Sequence, residues 1–130
     1  MLVYLFVGIA GAIGALLRYG ISLAFPFSGD AFPLATASAN LLGSFFITLI
    51  MAYFSGKKRL SETFEIALYV GFFGSFTTFS AFSVETIQLV QHQAYFIALA
   101  YVVISAFGGF FLAVFGYELG KRLSREGGGV

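Results

Sequence analysis

The stretch GFFGSFTTFSAFS, residues 71–83, holds the side chains of this sequence that are best suited to contact an ion. Phenylalanine alternates there with small and hydroxyl-bearing residues, and no Leu, Ile or Val interrupts it. The edge of an aromatic ring is electropositive, so it can meet an anion without a formal charge. Main-chain carbonyls freed by a break in a membrane helix commonly coordinate a cation. The stretch therefore offers contacts for ions of either sign.

The rings of this stretch recur every three residues, so several of them share one face of a helix. They are Phe73, Phe76, Phe79 and Phe82. Two interpretations of the stripe remain open. It is a packing or lipid-facing stripe in a chain with 18 phenylalanines, or a row of ring edges that meets an anion.

A second polar pattern has an interval of four residues, as expected for one face of a helix. Its members are Thr36, Asn40, Ser44 and Thr48. Serine and threonine can return their hydroxyls to a carbonyl of their own helix, so alone they indicate little. An asparagine amide is harder to satisfy in hydrocarbon. Asn40 is therefore expected either to bind a partner helix or to contact a ligand or ion, and the spacing leaves both open.

The other polar candidates are Arg18, Glu85 and His92. Arg18 can snorkel to the interface, and for Glu85 both snorkelling and a vestibule role are open. His92 is expected to be solvated in a short loop. No serine has a histidine and an acid nearby, no spacing suggests metal ligation by side chains, and cysteine is absent. We therefore expect no enzymatic activity.

The composition indicates a membrane protein. Of the 130 residues, 59% are hydrophobic and only 10% are charged, too few to cover a soluble domain of this size with polar surface. The formal net charge of +1 provides no electrostatic footprint for nucleic acid, so no nucleic-acid partner is expected.

Four segments are long enough for spanning helices, which need about 20 apolar residues each. They cover roughly residues 2–25, 33–54, 63–91 and 94–119, with a polar tail at 120–130. We expect a single integral membrane domain over 1–130, and the first span is too long and lacks the basic start of a signal peptide. The third span is longer than one straight crossing needs, and we expect a break near Thr77 and Thr78 because glycine and hydroxyl residues there are poor helix formers.

Small residues at helical spacing predict close helix packing. The sets are Gly11 with Ala15, Ala35 with Ala39 and Gly43, Ser105 with Gly109, and Gly116 with Gly120.

Basic residues gather on one side of the predicted bundle. With four spans, both termini and the loop near residue 57 share a side. Six of the seven basic residues lie there: Lys57, Lys58, Arg59, Lys121, Arg122 and Arg125. The positive-inside rule then places both termini in the cytoplasm of a multi-pass protein of the plasma membrane or bacterial inner membrane.

Three stretches together resemble the CrcB/Fluc family of fluoride channels. They are GAIGALLRY at 11–19, LATASANLLGSF at 34–45 and GFFGSFTTFSAFSVE at 71–85. The resemblance implies an all-α membrane fold with four transmembrane helices per subunit, the third of them broken near mid-membrane. It also implies an antiparallel, dual-topology dimer with two pores and a structural sodium ion at its centre.

The resemblance also implies residue roles. The fluoride pathway would comprise Asn40, Phe79, Phe82, Tyr101, Ser105, Thr36, Ser80 and Ser83. Arg18 and Glu85 match polar positions near the pore ends, and the main-chain carbonyls of Gly74 and Thr77 would bind sodium. Gly109 and Ala113 stand on the face of the fourth helix where relatives often carry hydroxyls, which is a departure from the family's pattern.

The expected function is a fluoride-selective channel that passively exports cytoplasmic fluoride and confers fluoride resistance. The expected partner is a second copy of the chain as an antiparallel dimer, or a paralogous subunit of opposite charge bias, since the six-to-one bias is unusual for dual topology. Two alternatives are a small dual-topology multidrug exporter and a non-transporting membrane scaffold subunit. The exporter mechanism needs a carboxylate in the first helix, and this first helix has none.

Overall fold

The computed structural model describes residues 1–55 and 60–126, and this part of the chain is helical. Four helical spans in it are long and apolar enough to cross a membrane. They are Leu2–Ala24, Leu34–Ser55, Glu62–Gln91 and Tyr95–Glu126. The multi-pass, all-α membrane architecture expected from the sequence is confirmed. The basic residues at 57–59 lie outside the described residues.

The first two spans are uninterrupted helices, α1 (Leu2–Ala24) and α2 (Leu34–Ser55). The third and fourth spans each contain a π-helical segment, here π1 and π2. The third span consists of α3 (Glu62–Ile66), π1 (Ala67–Phe73), α4 (Gly74–Phe76) and α5 (Phe79–Gln91). The fourth consists of α6 (Tyr95–Val103), π2 (Ile104–Gly108) and α7 (Gly109–Glu126). Neither π segment was predicted from the sequence.

The fourth span continues to Glu126, beyond the helix end expected at about residue 119, so residues 120–126 of the expected polar tail belong to the helix. The physical reason is packing. A Cβ on Gly120 would overlap the Leu49 carbonyl of α2, which means that α7 still lies against α2 at this level. Residues 127–130 lie outside the described part of the chain. At 32 residues, the span is about 48 Å long, well beyond the hydrocarbon thickness of about 30 Å.

Glycines set the close approach of the helices, at Gly116 as the small-residue pattern predicted and at Gly14 and Gly71 outside that pattern. A Cβ on Gly14 of α1 would overlap the Phe72 carbonyl of π1, and a Cβ on Gly71 would lie 2.7 Å from the Val7 carbonyl oxygen. Between α2 and α7, a Cβ on Gly116 would overlap the Phe45 carbonyl. Such contacts allow backbones to touch, which is how helices associate where water supplies no driving force.

A small core closes the end of the bundle that holds the loops at 25–33 and 92–94. Its buried members are Ala37, Leu89, Ala98 and Tyr101. The turn between α5 and α6 is tight: Gln93 adopts a left-handed φ of 61°, and the Ala94 N–H donates to the Leu89 carbonyl at 2.9 Å. This turn holds α6 beside α5 and so places Tyr101 against the side chains of α5.

Candidate functional site

The third span breaks at Thr77 and Thr78, within the stretch where the sequence predicted a break. Thr77 (φ −86°, ψ 158°) and Thr78 (φ −151°, ψ 128°) are both extended. Thr78 then caps α5, because its Oγ1 accepts from the Ala81 N–H at 3.2 Å. Threonine at such a position is a common helix start, so the pair TT preceding a new helical run encodes this cap.

Asn40 of α2 holds the break in place through two hydrogen bonds to the backbone of one residue, Thr78. Its Nδ2 donates to the Thr78 carbonyl at 2.9 Å, and its Oδ1 accepts from the Thr78 N–H at 2.8 Å. Of the two possibilities left open for Asn40, the interhelical contact is confirmed. An asparagine amide has two N–H groups, and this pair uses one of them, so the other can still serve as a donor.

The break removes the usual helical donors from two carbonyls. In an unbroken helix, the Thr78 N–H would donate to Gly74 and the Ala81 N–H to Thr77. Here the first donates to Asn40 and the second to the Thr78 hydroxyl. Neither of the two carbonyls predicted to bind sodium thus receives the N–H that would donate to it in an unbroken helix. Gly74 is exposed, and the nearest atom to a Cβ there would be the Tyr69 carbonyl oxygen at 3.9 Å.

Arg18 reaches from α1 to the same break. Its Nε donates to the Ser75 carbonyl at 3.1 Å, and the residue is half-buried. A cation near the C-terminal end of a helix is favourable, because unsatisfied carbonyls make that end partly negative. The guanidinium therefore has an interhelical partner, a contact that the snorkelling interpretation did not anticipate.

A cavity of about 470 Å³ lies beside the break. Its lining residues are Asn40, Gly43, Ser44, Ile47, Tyr69, Phe73, Gly74, Thr77, Thr78 and Phe79. The sequence singled out Asn40, Gly74, Thr77 and Phe79 as site residues. It did not assign Ser44 or Tyr69 to a site, and the only available signal was the position of Ser44 on the polar stripe of α2.

The two rings assigned to the anion lie next to each other along α5. Phe79 is 79% exposed, and its ring centroid is 5.8 Å from that of Phe82. Phe82 packs in turn against Tyr101, with centroids 4.9 Å apart. Phe79 lines the cavity while Phe82 contacts the core, so the pair connects the break to the other polar cluster of the molecule.

That second cluster brings together three predicted site residues from three helices. Glu85 accepts from the Thr36 hydroxyl at Oε1 and from the Tyr101 hydroxyl at Oε2, both at 2.7 Å. Tyr101 is fully buried and Thr36 is 7% exposed. The carboxylate is therefore held between α2 and α6. We refer to Thr36, Glu85 and Tyr101 as the Glu85 cluster.

The remaining predicted hydroxyls lie apart from this cluster. Ser80 is exposed and within 3.1 Å of the Thr78 hydroxyl, and Ser83 donates to the Phe79 carbonyl at 2.9 Å. Ser105 lies in π2, and its buried Oγ has no hydrogen-bond partner among the described residues. The structure thus groups the predicted residues around the break and around Glu85, with Ser105 by itself.

Comparison with known proteins agrees with this arrangement. Residues 5–117 match the family described as CrcB-like protein, Camphor Resistance (CrcB). A relative from Listeria monocytogenes serotype 4b (strain F2365), named fluoride-specific ion channel FluC 2, is 41% identical over 95% of each chain. A relative from Bacillus cereus (strain ATCC 14579), named FluC 1, is 44% identical over 96% of this chain and 88% of its own.

A third relative, from Desulfitobacterium hafniense (strain Y51), is also named fluoride-specific ion channel FluC 1 and is 44% identical over 87% of this chain and 98% of its own. The family match reaches into all four spans and includes the whole of the second and the broken third. By the extent of this match and the identity to these relatives, the chain belongs to the CrcB family.

Proposed function

We propose that this chain is a subunit of a fluoride-selective channel that lets cytoplasmic fluoride leave the cell passively and so confers fluoride resistance. The observation that carries the proposal is the arrangement at the break. Asn40 fixes the backbone there, and both Asn40 and the exposed Phe79 line one cavity. The naming of the relatives as fluoride-specific ion channels supports the choice of ion.

The chemistry of these groups suits a small anion. Transfer of an ion from water to an apolar medium costs tens of kcal/mol by Born estimates, so a pore must replace the hydration shell. Amide and hydroxyl hydrogens donate to fluoride, while ring edges bind it more weakly and allow it to leave. Phe79, Phe82 and Asn40 would supply one step lined by rings and an amide, and Tyr101 and Ser105 would add hydroxyls on the fourth span.

A second subunit would complete the site. In one chain the Phe79 ring is 79% exposed, and Gly74 is also exposed beside the cavity. Four helices hardly enclose an ion path, whereas two copies can do so along their interface. We infer an antiparallel dimer with two pores, in which the rings of one subunit face the polar groups of the other.

A sodium ion at the centre of this dimer fits the donors at the break. In residues 1–55 and 60–126, no group of three or more His, Cys, Asp or Glu side chains could hold a metal. A cation would therefore depend on main-chain oxygens, and the carbonyls of Gly74 and Thr77 have lost their helical donors to Asn40 and Thr78. A sodium ion bound by two carbonyls from each of two subunits would neutralise the partly negative ends of the broken helices.

The strong bias of basic residues bears on how the dimer forms. If all copies insert with their termini in the cytoplasm, an antiparallel dimer needs a paralogous subunit of opposite bias. A homodimer instead requires insertion in both directions. The chain has no cysteine, so Ser61→Cys introduces a single thiol. Labelling of this thiol in cells from both sides supports the homodimer, and labelling from one side only supports the paralogous partner.

Anion efflux from liposomes tests the function. Purified protein is reconstituted in vesicles loaded with potassium fluoride or potassium chloride, a potassium ionophore is added, and an ion-selective electrode follows efflux. We expect rapid fluoride efflux and none of chloride. Dimeric protein that passes neither ion would contradict the channel and leave the exporter or the scaffold subunit.

A further inference from the structure

Gly43 of α2 lies against the first residue of the break. It is buried, and it lines the cavity together with Thr77. A Cβ built on Gly43 would overlap the methyl carbon Cγ2 of Thr77. Its next neighbours, Phe76 Cδ1 and Thr77 Cβ, would lie at ordinary contact distances of 3.6 and 3.7 Å. The Thr77 methyl group therefore occupies the space that the side chain of any other residue at position 43 would fill.

The Thr77 methyl group cannot turn away without breaking a hydrogen bond. Thr77 Oγ1 donates to the Phe73 carbonyl at 2.8 Å, and the Thr77 N–H donates to the same carbonyl at 3.0 Å. The hydroxyl and the methyl group are both bonded to Cβ, so the staggered position of one fixes the position of the other. A side chain at position 43 would therefore displace either this hydrogen bond or the Thr77 backbone.

The Thr77 backbone is the point at which the chain leaves the helix. Its N–H still has a helical partner, but its ψ of 158° is extended, and this angle sets the direction of its carbonyl. That carbonyl is one of the two proposed to bind sodium. Three residues before Gly43 on the same face of α2, Asn40 holds the N–H and the carbonyl of Thr78. Helix α2 thus fixes both residues of the break, one by hydrogen bonds and the other by shape.

We propose that Gly43 is a positioning residue for the sodium site: the absence of a side chain there accommodates the Thr77 methyl group and so sets the direction of the Thr77 carbonyl. The proposal rests on the sodium site of the proposed channel. The spacing of small residues assigned Gly43 only to helix packing. A role in packing alone predicts a loss of stability with no change in the affinity for Na⁺.

A double-mutant cycle on the response to Na⁺ tests this role. The thermal midpoint of the purified protein in detergent is measured as Na⁺ replaces N-methyl-D-glucamine, because an ion that binds only the folded protein raises the midpoint. The Na⁺ concentration needed for a given rise reports the apparent affinity. With threonine at position 77, Gly43→Ala should raise that concentration about tenfold, within the range of coupling between residues in contact.

The Thr77→Ser background removes the methyl group and keeps the hydroxyl. The Cβ of Gly43→Ala then meets only atoms at ordinary contact distance. In this background the substitution should change the Na⁺ requirement by less than about twofold, since the overlapping group is gone. If Gly43→Ala alone yields no folded protein, the decision rests on the double variant Gly43→Ala with Thr77→Ser, which should fold and respond to Na⁺.

Gly116→Ala is the control for packing alone. Its Cβ would overlap the Phe45 carbonyl between α2 and α7, so the variant should lower the midpoint and leave the Na⁺ requirement unchanged. The proposal is overturned if Gly43→Ala behaves like Gly116→Ala, if it raises the Na⁺ requirement equally in both backgrounds, or if the double variant does not fold. A midpoint of the unmodified protein that does not respond to Na⁺ contradicts the sodium site itself. Fluoride efflux from liposomes tests the channel function separately, so these failures are distinguishable.

Discussion

The polar stripe of α2 behaves differently at its two ends. At one end Thr36 donates to Glu85 of the third span, and Asn40 holds Thr78. At the other end Ser44 and Thr48 donate to carbonyls of α2 itself, at 2.9 and 3.0 Å. One sequence pattern thus contains two kinds of hydrogen bond. Bonds of the first kind join α2 to the third span. Bonds of the second kind stay within α2, so other contacts must join the helices at that end.

Glycine packing replaces the hydrogen bonds at the second end. Gly116 and Gly120 bring α7 against the Phe45 and Leu49 carbonyls of α2. At the Glu85 cluster, by contrast, a half-buried carboxylate accepts hydrogen bonds from two buried side chains, Thr36 and Tyr101. The end that holds the Glu85 cluster should therefore be sensitive to changes in side-chain polarity, and the end that holds Gly116 and Gly120 to changes in side-chain volume.

The largest effect is expected at Asn40, where the two ends meet. Asn40→Asp removes the amide donor to Thr78 and places a carboxylate beside the cavity. Repulsion between like charges in a low dielectric should reduce fluoride efflux by roughly a thousandfold or more. The measurement is fluoride efflux from liposomes, with dimer formation checked by size-exclusion chromatography. Efflux within a few-fold of the unmodified protein would remove Asn40 from the pathway.

Phe82→Ile should have the next largest effect. The side chain remains apolar and of similar bulk, but the electropositive ring edge is lost, along with the contact to Tyr101. We expect fluoride efflux to fall by about a hundredfold while the dimer persists. Phe96→Ile is the control, because Phe96 is 85% exposed on the outer face of α6. Equal efflux from both variants would mean that the Phe82 ring acts only in packing.

Side-chain volume should determine stability at the end of the bundle where Gly116 and Gly120 pack against α2. Gly120→Val places a side chain into the Leu49 carbonyl and should destabilise the fold by about 1–3 kcal/mol, the usual cost of overpacking, or more if the helices separate. In the matched control Gly8→Val, nothing in the described part of the chain lies within 4 Å of the added Cβ. Thermal unfolding in detergent provides the readout. A midpoint for Gly120→Val equal to that of Gly8→Val would show that α7 does not depend on this contact.

The sequence predicted the four spans, the break near Thr77 and the close packing of glycines, because hydropathy, poor helix formers and small-residue spacing are local properties. It assigned Thr36, Glu85 and Tyr101 as site residues without predicting that they bind one another. That contact depends on the tight turn at Gln93, which sets how α6 lies beside α5. The π segments were also missed, since an extra residue in a turn has no periodic signature in so short a run.

Ser44 is a second case in which the sequence alone could not identify the surroundings of a polar side chain. By spacing it is equivalent to Asn40, and both were part of one stripe. Only the position of π1 and the break beside α2 distinguishes it as a hydroxyl-bearing residue that lines the cavity. The role of a polar residue in a membrane helix thus depends on which segments lie beside it.

The smallest expected effects come from one substitution, Thr→Val, made at each end of the polar stripe of α2. Because the substitution is the same, the difference in stability between the two variants compares the two ends directly. Thr36→Val preserves shape but leaves Glu85 Oε1 without its donor at 2.7 Å, so we expect a loss of about 1–3 kcal/mol of stability. Thr48→Val removes a hydroxyl that bonds only carbonyls of its own helix, and these carbonyls keep their helical donors. Its cost should be below about 0.5 kcal/mol. Thermal unfolding of the two variants, measured in the same detergent, gives the difference in stability. Equal midpoints would mean that the hydrogen bond between Thr36 and Glu85 stabilises the fold no more than a hydroxyl bonded within its own helix.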